Sequence, residues 1–271
     1  MSGSRTSWAL VLFGTSVLKQ QKWAAIRNAL GDTHGLRCLD IGADNGVISY
    51  LLRAGGGSWV SADLDAVAVE AIRALVGTDV VQMSADHIPF PAGEFDRVVL
   101  VDCLEHVHDD RRFIEEITRI TKPGGAIVVN VPLRKESWLR RLRLALGQTD
   151  EAHGHVRHGY TPEELATLLG SSYEVVTQAT YSKFFSQAID TVMTWGVRRL
   201  KRASVGTTAK GAFVTGNDLA RHRKLFLIYT VLYPFLWCVA QLDRVLWYRS
   251  GYMLIAKARV CAPAPSALTV A

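Results

Sequence analysis

Residues Leu36 to Tyr50, LRCLDIGADNGVISY, decide how the rest of the chain is read. The apolar members of Leu36 to Ile41 predict a short buried strand. Gly42 and Gly46 follow, and Val47-Ile48-Ser49-Tyr50-Leu51-Leu52 then opens a helix. A strand that turns through glycines into a helix leaves backbone N–H groups facing a crevice at the strand's carboxyl end. Open α/β sheets bind their ligands there. Glycine is expected where a ligand approaches the backbone too closely for a Cβ. Asp40, at the strand's end, is placed to accept hydrogen bonds from a ligand or from the loop itself. The bland alternative is a tight strand–helix turn with no ligand.

Spacing narrows the ligand. A dinucleotide fingerprint needs G-x-G-x-x-G to seat a pyrophosphate. This turn is Gly42-Ala43-Asp44-Asn45-Gly46, with an acid in its middle. A carboxylate at Asp44 repels a pyrophosphate and suits a ligand that carries an ammonium and a sulfonium.

Working outward, Lys19 to Leu30 reads as a helix before the first strand, and the second helix ends at Gly55-Gly56-Gly57. Ser58 to Ala62 is a second strand running into Asp63-Leu64-Asp65. An acid there, about twenty residues after the glycine turn, is placed for a ribose diol. Asp63 is read as the ligand group and Asp65 as the cap of a helix over Ala66 to Val76. Asp79 to Met83 is a third strand, and Asp86 after it can accept from an exocyclic amine. Phe95 to Val101 is a fourth strand, Arg111 to Thr121 a helix, and Ala126 to Val131 a fifth strand closed by Pro132.

The runs LDIGADNG, SADLD, SADHIPFPAGEFDRVVLVDCLEHVHDD and ITRITKPGGAIVVNVP, in this order, resemble the class I S-adenosylmethionine-dependent methyltransferases. Within these the chain is similar to the small-molecule branch that includes quinone and lipid-tail methyltransferases. The resemblance covers Leu36 to about Ala179 and a final strand at Gly251 to Arg259. It implies a Rossmann-like α/β fold: a seven-stranded sheet flanked by helices, parallel except for an antiparallel last strand. It implies S-adenosyl-L-methionine as cofactor. Asp40, Gly42, Ala43, Asp44 and Gly46 would surround its methionine portion. Asp63 with Leu64 would meet the ribose, and Ala85 with Asp86 would flank the adenine. Asp102 and Cys103 would sit beside the methyl-bearing end. Asp44 stands where the family usually has its middle glycine.

Other groups carry chemistry outside that site. Asp102, Glu105 and His106 are spaced to share one helical face. Some relatives use an acid-x-x-Glu-His segment to hold a divalent ion, which makes these three weak metal candidates. The plain alternative is a helix start common to this branch. The run HGHVRHGY, His153 to Tyr160, precedes a helix capped by Thr161-Pro162-Glu163-Glu164. His155 and His158, and His106 before them, are the candidate acceptor-side bases, since histidine titrates near neutral pH. The loop also reads as a connector with structurally bonded histidines.

The chain has 271 residues, 49% of them hydrophobic, and a net charge of +6. That length fits one large α/β domain with an insertion, or two small domains. Basic excess favours an anionic partner. Four scattered cysteines without C-x-x-C spacing fit a reducing cytosol, with no disulfide framework or zinc site. The apolar start Trp8 to Phe13 lacks a cleavage pattern and reads as a packing or membrane-facing segment. Leu133 to Leu146 alternates Leu and Trp with Arg at helical spacing, as a basic amphipathic helix at a bilayer surface or a helix packed by one face. Tyr173 to Ala179 is a sixth strand.

The expected organisation is an N-terminal helical segment (1–35), a methyltransferase core (36–180), a helical apolar insertion (181–250), a final core strand (251–260) and a disordered tail (261–271). In the insertion, Leu225 to Leu242 is apolar except for Thr230 and Gln241. As a helix it would reach about 27 Å, just short of a hydrocarbon core. One full crossing would strand the last strand in the wrong compartment, and Pro234 would kink the helix. A kinked helical hairpin is expected, dipping into a bilayer, covering the acceptor pocket or burying a homodimer contact. The function expected is methyl transfer to a hydrophobic or lipid-linked small molecule. The enzyme would be cytoplasmic, peripheral at the inner face of an anionic membrane, with no nucleic-acid partner. A soluble enzyme for a secondary metabolite or sugar, and a non-catalytic membrane-associated binding protein, are the alternatives.

Overall fold

Seven strands alternate with helices, in the pattern that produces a parallel sheet covered on both faces. The computed structural model describes residues 8–150, 154–201 and 223–261. The strands are β1 Arg37–Ile41, β2 Ser58–Asp63, β3 Val80–Gln82, β4 Phe95–Val101, β5 Thr121–Pro132, β6 Tyr173–Tyr181 and β7 Met253–Val260. They form one sheet in the order β3-β2-β1-β4-β5-β7-β6. Strands β1 to β5 pair in parallel, and β7 runs antiparallel between β5 and β6. The expected fold class is the observed one.

The helices are α1 Trp8–Gly14, α2 Val17–Leu30, α3 Val47–Ala54, α4 Ala66–Val76, α5 Asp110–Ile120, α6 Trp138–Ala145, α7 Pro162–Leu169, α8 Phe184–Lys201 and α9 Arg223–Gln241. Their apolar spacing decides which face each buries. Phe113, Ile114, Ile117 and Ile120 of α5 lie at i, i+1, i+4 and i+7, and all four are buried. They pack with Leu165 and Leu169 of α7 on one side of the sheet. Ile26 and Leu30 of α2, Ile48 and Leu52 of α3 and Ile72 of α4 cover the other. Each such side chain contributes roughly 1.5–3 kcal/mol when fully buried. Caps close the starts: Asp65 accepts from Val67 N–H, and Thr161 with Glu164 forms a reciprocal capping box.

Helices α8 and α9 lie between β6 and β7 in the chain. Asp243, just past α9, accepts from the N–H groups of Lys183, Phe185 and Ser186 and so caps the start of α8. Tyr229 donates to the Thr15 carbonyl, and Gln20 Nε2 donates to Tyr233 at 2.7 Å. These bonds tie α9 to the N-terminal helices. The expected hairpin is not formed: α9 is one continuous helix with Pro234 inside it. A proline removes one N–H from the ladder, and the remaining bonds carry the helix past it. Among the described residues, no helix is long and apolar enough to cross a membrane. The basic residues Arg202 and Arg221 and the tail from Ala262 lie outside the described residues.

Candidate cofactor and acceptor site

The chain's direction across the sheet switches between β1 and β4, and the residues after those strands face one crevice. Gly42 follows β1 with φ 87°, and Asp102 follows β4 with φ 45°. A Cβ on Gly42 would stand 2.4 Å from the Val101 carbonyl oxygen, and one on Gly46 would stand 2.8 Å from Ile72 Cα. Both glycines are therefore demanded by the protein's own backbone, the first between adjacent strands and the second where α3 meets α4. The tight-turn alternative is thus part of the reason for both glycines, beside any approach of a ligand. Asp44, where a glycine was expected, has φ 55°. Aspartate tolerates this left-handed conformation better than most residues, so the turn keeps its shape while gaining a carboxylate.

Asp40 does not face the crevice. It is fully buried, its two oxygens taken by the hydroxyls of Ser49 at 2.6 Å and Ser61 at 2.7 Å. Arg53 lies 3.6 Å away. Burial pushes the Asp40 carboxyl up to about 6, against those hydrogen bonds. Its work is internal: it ties the first turn of α3 to β2. Ala43 is likewise buried, at 3% exposure.

Asp102 is held by groups that were not foreseen. Lys22 of α2 forms an ion pair with it, and Asn130 Nδ2 donates to its other oxygen at 2.6 Å. Tyr181 in turn donates to Asn130 Oδ1 at 2.6 Å, which fixes the amide so that its NH₂ faces Asp102. Burial opposes the Lys22 charge, but the Asp102 carboxylate outweighs it and raises the pKa. Burial drives the Tyr181 hydroxyl well above its ordinary value, so it serves as a neutral donor. A polar Asn130 inside the apolar run AIVVNV is the sequence signal that was available. Nothing local points to Lys22.

Above this network lies a cavity of about 440 Å³. Lys19, Lys22, Asp44 and Asp102 line it, as do His155, His158, Leu133 and Leu144. Two ammonium groups and two carboxylates suit the zwitterion of an amino-acid-bearing ligand, and the carboxylates suit a sulfonium. The residues present therefore fit the methionine end of S-adenosylmethionine. Asp63 lies at the end of β2 outside this cavity, fully buried, accepting from Asp65 N–H at 3.1 Å. Leu64 and Ala85 are half-buried, Asp86 is exposed, and Cys103 is buried.

The helical face expected for Asp102, Glu105 and His106 is not formed. Leu104–His106 is a single 3₁₀ turn, and the left-handed Asp102 points to Lys22 instead. His155 comes in from the later loop. The imidazoles of His106 and His155 meet edge to face, with centroids 4.9 Å apart. Two bonds stitch that loop to the turn: His106 Nδ1 with the Gly154 carbonyl, and Val156 N–H to the Glu105 carbonyl, both at 2.9 Å. His158 Nδ1 lies 2.5 Å from Asp150 Oδ2, and Arg140 Nη2 is 3.1 Å from the same oxygen. Burial would raise Asp150, yet His158 and Arg140 hold it below the usual carboxylate range. Arg140 and Arg143 of α6 thus turn inward, Arg143 reaching Gln187 at 3.0 Å, while Arg141, Trp138, Leu142 and Leu144 are exposed. His153 lies outside the described residues.

Residues 39–129 match the family described as "Methyltransferase domain". The chain is 35% identical over 119 residues to a demethylmenaquinone methyltransferase of Clavibacter sepedonicus, covering 42% of this chain and 49% of that protein. It is 28% identical over 173 residues to a ubiquinone biosynthesis O-methyltransferase of Cronobacter sakazakii, covering 56% and 71%. It thus spans about half the length of the first of these relatives. Among solved structures it resembles the cyclase SpnF, with a TM-score of 0.59 and 16% identity, covering 97% of this chain and 85% of that one. It also resembles an S-adenosylmethionine-dependent methyltransferase from Mesorhizobium loti, with a TM-score of 0.53 and 18% identity, covering 88% and 97%. Likeness at such identities establishes the fold. The sheet order and the glycine turn agree with that fold, and residues 39–129 match a methyltransferase domain.

Proposed function

We propose that this protein transfers a methyl group from S-adenosylmethionine to a hydroxyl of a hydrophobic, quinone-type small molecule at the inner face of an anionic membrane. The observation that carries the reading is one cavity lined by Lys19, Lys22, Asp44 and Asp102, whose charges suit a zwitterion, and also by His155, His158 and apolar side chains. Bound there, the cofactor supplies an electrophilic methyl on a sulfonium. Lys22 and Lys19 pair with its carboxylate, and Asp44 and Asp102 with its ammonium. Beyond that cavity, Asp63 with Leu64 would serve the ribose, and Ala85 with Asp86 the adenine.

On the acceptor side, His158 can take the hydroxyl proton. Its Nδ1 is engaged by Asp150, which leaves Nε2 as the base. The similar proteins are a demethylmenaquinone methyltransferase and a ubiquinone biosynthesis O-methyltransferase, and an acceptor with a long apolar tail would lie in a membrane. The outer face of α9 offers the matching contact. Leu227, Ile228, Val231, Leu232 and Phe235 are 51–72% exposed, and Trp247 beyond the helix is 81% exposed. Arg244 and Arg249 follow in the chain, and the net charge is +6, so an anionic lipid surface fits both features.

Calorimetric titration tests the cofactor reading. One equivalent of S-adenosylmethionine should bind, and Asp63→Ala should weaken it by roughly 1–3 kcal/mol through lost charge-assisted hydrogen bonds. Unchanged affinity in a folded Asp63→Ala protein removes Asp63 from the site.

A further inference from the structure

We infer that Arg143, with Lys135 as a second cation, holds an acidic oxygen group, a carboxylate or a phosphate, carried by the methyl acceptor. Both side chains line the cavity, and both residues are half-buried. The other cations on its wall are answered by carboxylates. Lys22 is paired with Asp102, and Arg140 with Asp150. Burial lowers the Lys19 pKa, and the charges of Asp44 and Asp190 oppose that shift. Arg143 and Lys135 differ: among the described residues their hydrogen-bond partners are all neutral.

Those neutral partners are built to hold the guanidinium in place. Arg143 Nε donates to Gln148 Oε1 at 3.3 Å, and its Nη1 donates to Gln187 Oε1 at 3.0 Å. The two glutamines are buried, at 4% and 3% exposure. Gln148 Nε2 donates to the Thr191 carbonyl at 2.9 Å and Gln187 Nε2 to Ser182 Oγ at 3.3 Å, which turns both amide oxygens toward Arg143. Two buried amides therefore fix the fork without cancelling its charge, and Arg143 Nη2 bonds none of the described residues. Lys135 Nζ donates to the Ser250 carbonyl at 2.7 Å and stands 4.9 Å from the Tyr252 ring centroid. Burial lowers its pKa, and the charge of Arg249 adds to that. A partly buried cation held only by neutral groups is unfavourable until an anion reaches it. The planar guanidinium fork matches carboxylate and phosphate oxygens.

The inference rests on the methyltransferase reading for the identity of the ligand. With an ammonium, a sulfonium and one carboxylate, S-adenosylmethionine is itself net positive, so a loaded cavity favours an anionic acceptor further. That acceptor is an amphiphile, with a hydroxyl to take the methyl, an acidic group on Arg143 and an apolar remainder.

Calorimetry on the full chain, free and saturated with S-adenosylhomocysteine, tests this with two probes: a hexyl-substituted dihydroxybenzoate and the matching neutral dihydroxybenzamide. The acid should bind about 10-fold more tightly than the amide. Arg143→Gln should erase that preference and Arg143→Lys should keep part of it, with S-adenosylhomocysteine affinity unchanged in both. Gln187→Glu should erase it as well, by setting a carboxylate on the guanidinium, and it decides if Arg143→Gln does not fold. Should neither variant fold, the comparison of acid with amide in the unsubstituted protein decides alone. Equal binding of the two probes, or binding of neither, overturns the inference, as does a preference that survives in folded Arg143→Gln. Lost S-adenosylhomocysteine affinity in Arg143→Gln, with the preference intact, overturns it by assigning the arginine to the cofactor. Dihexanoylphosphatidylglycerol that outcompetes the acid, and does so only with Arg143 present, overturns it by assigning the site to a lipid headgroup. The S-adenosylhomocysteine titration separates the two readings. Cofactor binding without an acid preference ends only the anion inference, and an acid preference without cofactor binding ends only the methyltransferase reading.

Discussion

The crevice after β1 and β4 and the outer face of α9 are built on opposite rules. In the crevice nearly every polar group has been given a partner from a distant part of the chain: Lys22 to Asp102, Tyr181 to Asn130, His158 to Asp150. On the outer face of α9 the apolar side chains at Leu227, Ile228, Val231, Leu232 and Phe235 are left to solvent, and among the described side chains of that helix only Ala240 is buried. A buried charge without a partner costs several kcal/mol, so a cavity full of ions must be satisfied internally or by its ligand. An apolar helix face without cover loses its stabilisation to water, so it points to something outside the monomer. The first region is a site the fold makes, and the second is a surface the fold leaves.

Substitutions should separate the two. The largest effect is expected on α9, where Phe235→Glu with Trp247→Glu removes two large side chains from the proposed lipid contact. Each contributes roughly 1.5–3 kcal/mol when buried, so binding to anionic vesicles should fall by about 100-fold or more. Thermal stability should stay within about 0.5 kcal/mol, since both side chains are exposed. Vesicle flotation and a melting curve read the two quantities. A soluble, stable dimer that ignores vesicles would assign the face to a second copy of this chain.

Gly42→Ala attacks the other region. The new Cβ meets the Val101 carbonyl oxygen at a φ of 87°, and the strain should cost about 3 kcal/mol. Loss of stability should come with loss of cofactor affinity, while vesicle binding of the folded fraction persists. Equal stability to the unsubstituted protein would show that the turn can open without cost.

A smaller effect comes from Asp40. Its carboxyl ionises near 6 when folded, above the ordinary 3.8. Between those values the folded chain holds a proton that the unfolded chain has released, so stability falls as pH rises through that window and is level above it. The total should be on the order of 2–3 kcal/mol. Denaturant unfolding from pH 4 to 7 should show that slope in the unsubstituted protein and not in Asp40→Asn. An identical slope in both assigns it to other carboxylates. The smallest effect is at the cap of α7, where Thr161→Ala should cost about 1 kcal/mol by denaturant midpoint and touch neither cofactor nor vesicles.

What the chain shows in its sequence divides along the same line. Phe95–Val101 and Ala66–Val76 read correctly to the residue, since each is a local apolar pattern bounded by turn or cap residues. The caps at Asp65 and Thr161 read correctly for the same reason. The roles of Asp40 and Asp102 did not. Strand-end position says that a side chain is near the crevice, while Ser49, Ser61, Lys22 and Asn130 decide which way it turns. Likewise His155 replaces Asp102 beside Glu105 and His106 because the backbone takes a left-handed step at Asp102, which spacing cannot show. Pro234 misled in the other direction, its helix running on where a break was expected.

The central claim is methyl transfer to a membrane-borne hydrophobic hydroxyl. The protein, methyl-tritiated S-adenosylmethionine and membrane vesicles carrying a lipid extract should be incubated together and the products partitioned between organic solvent and water. Label should enter the organic phase on a small molecule, in an amount that falls with His158→Gln and with Phe235→Glu/Trp247→Glu. Label that never leaves the cofactor, although the cofactor binds, would contradict the account.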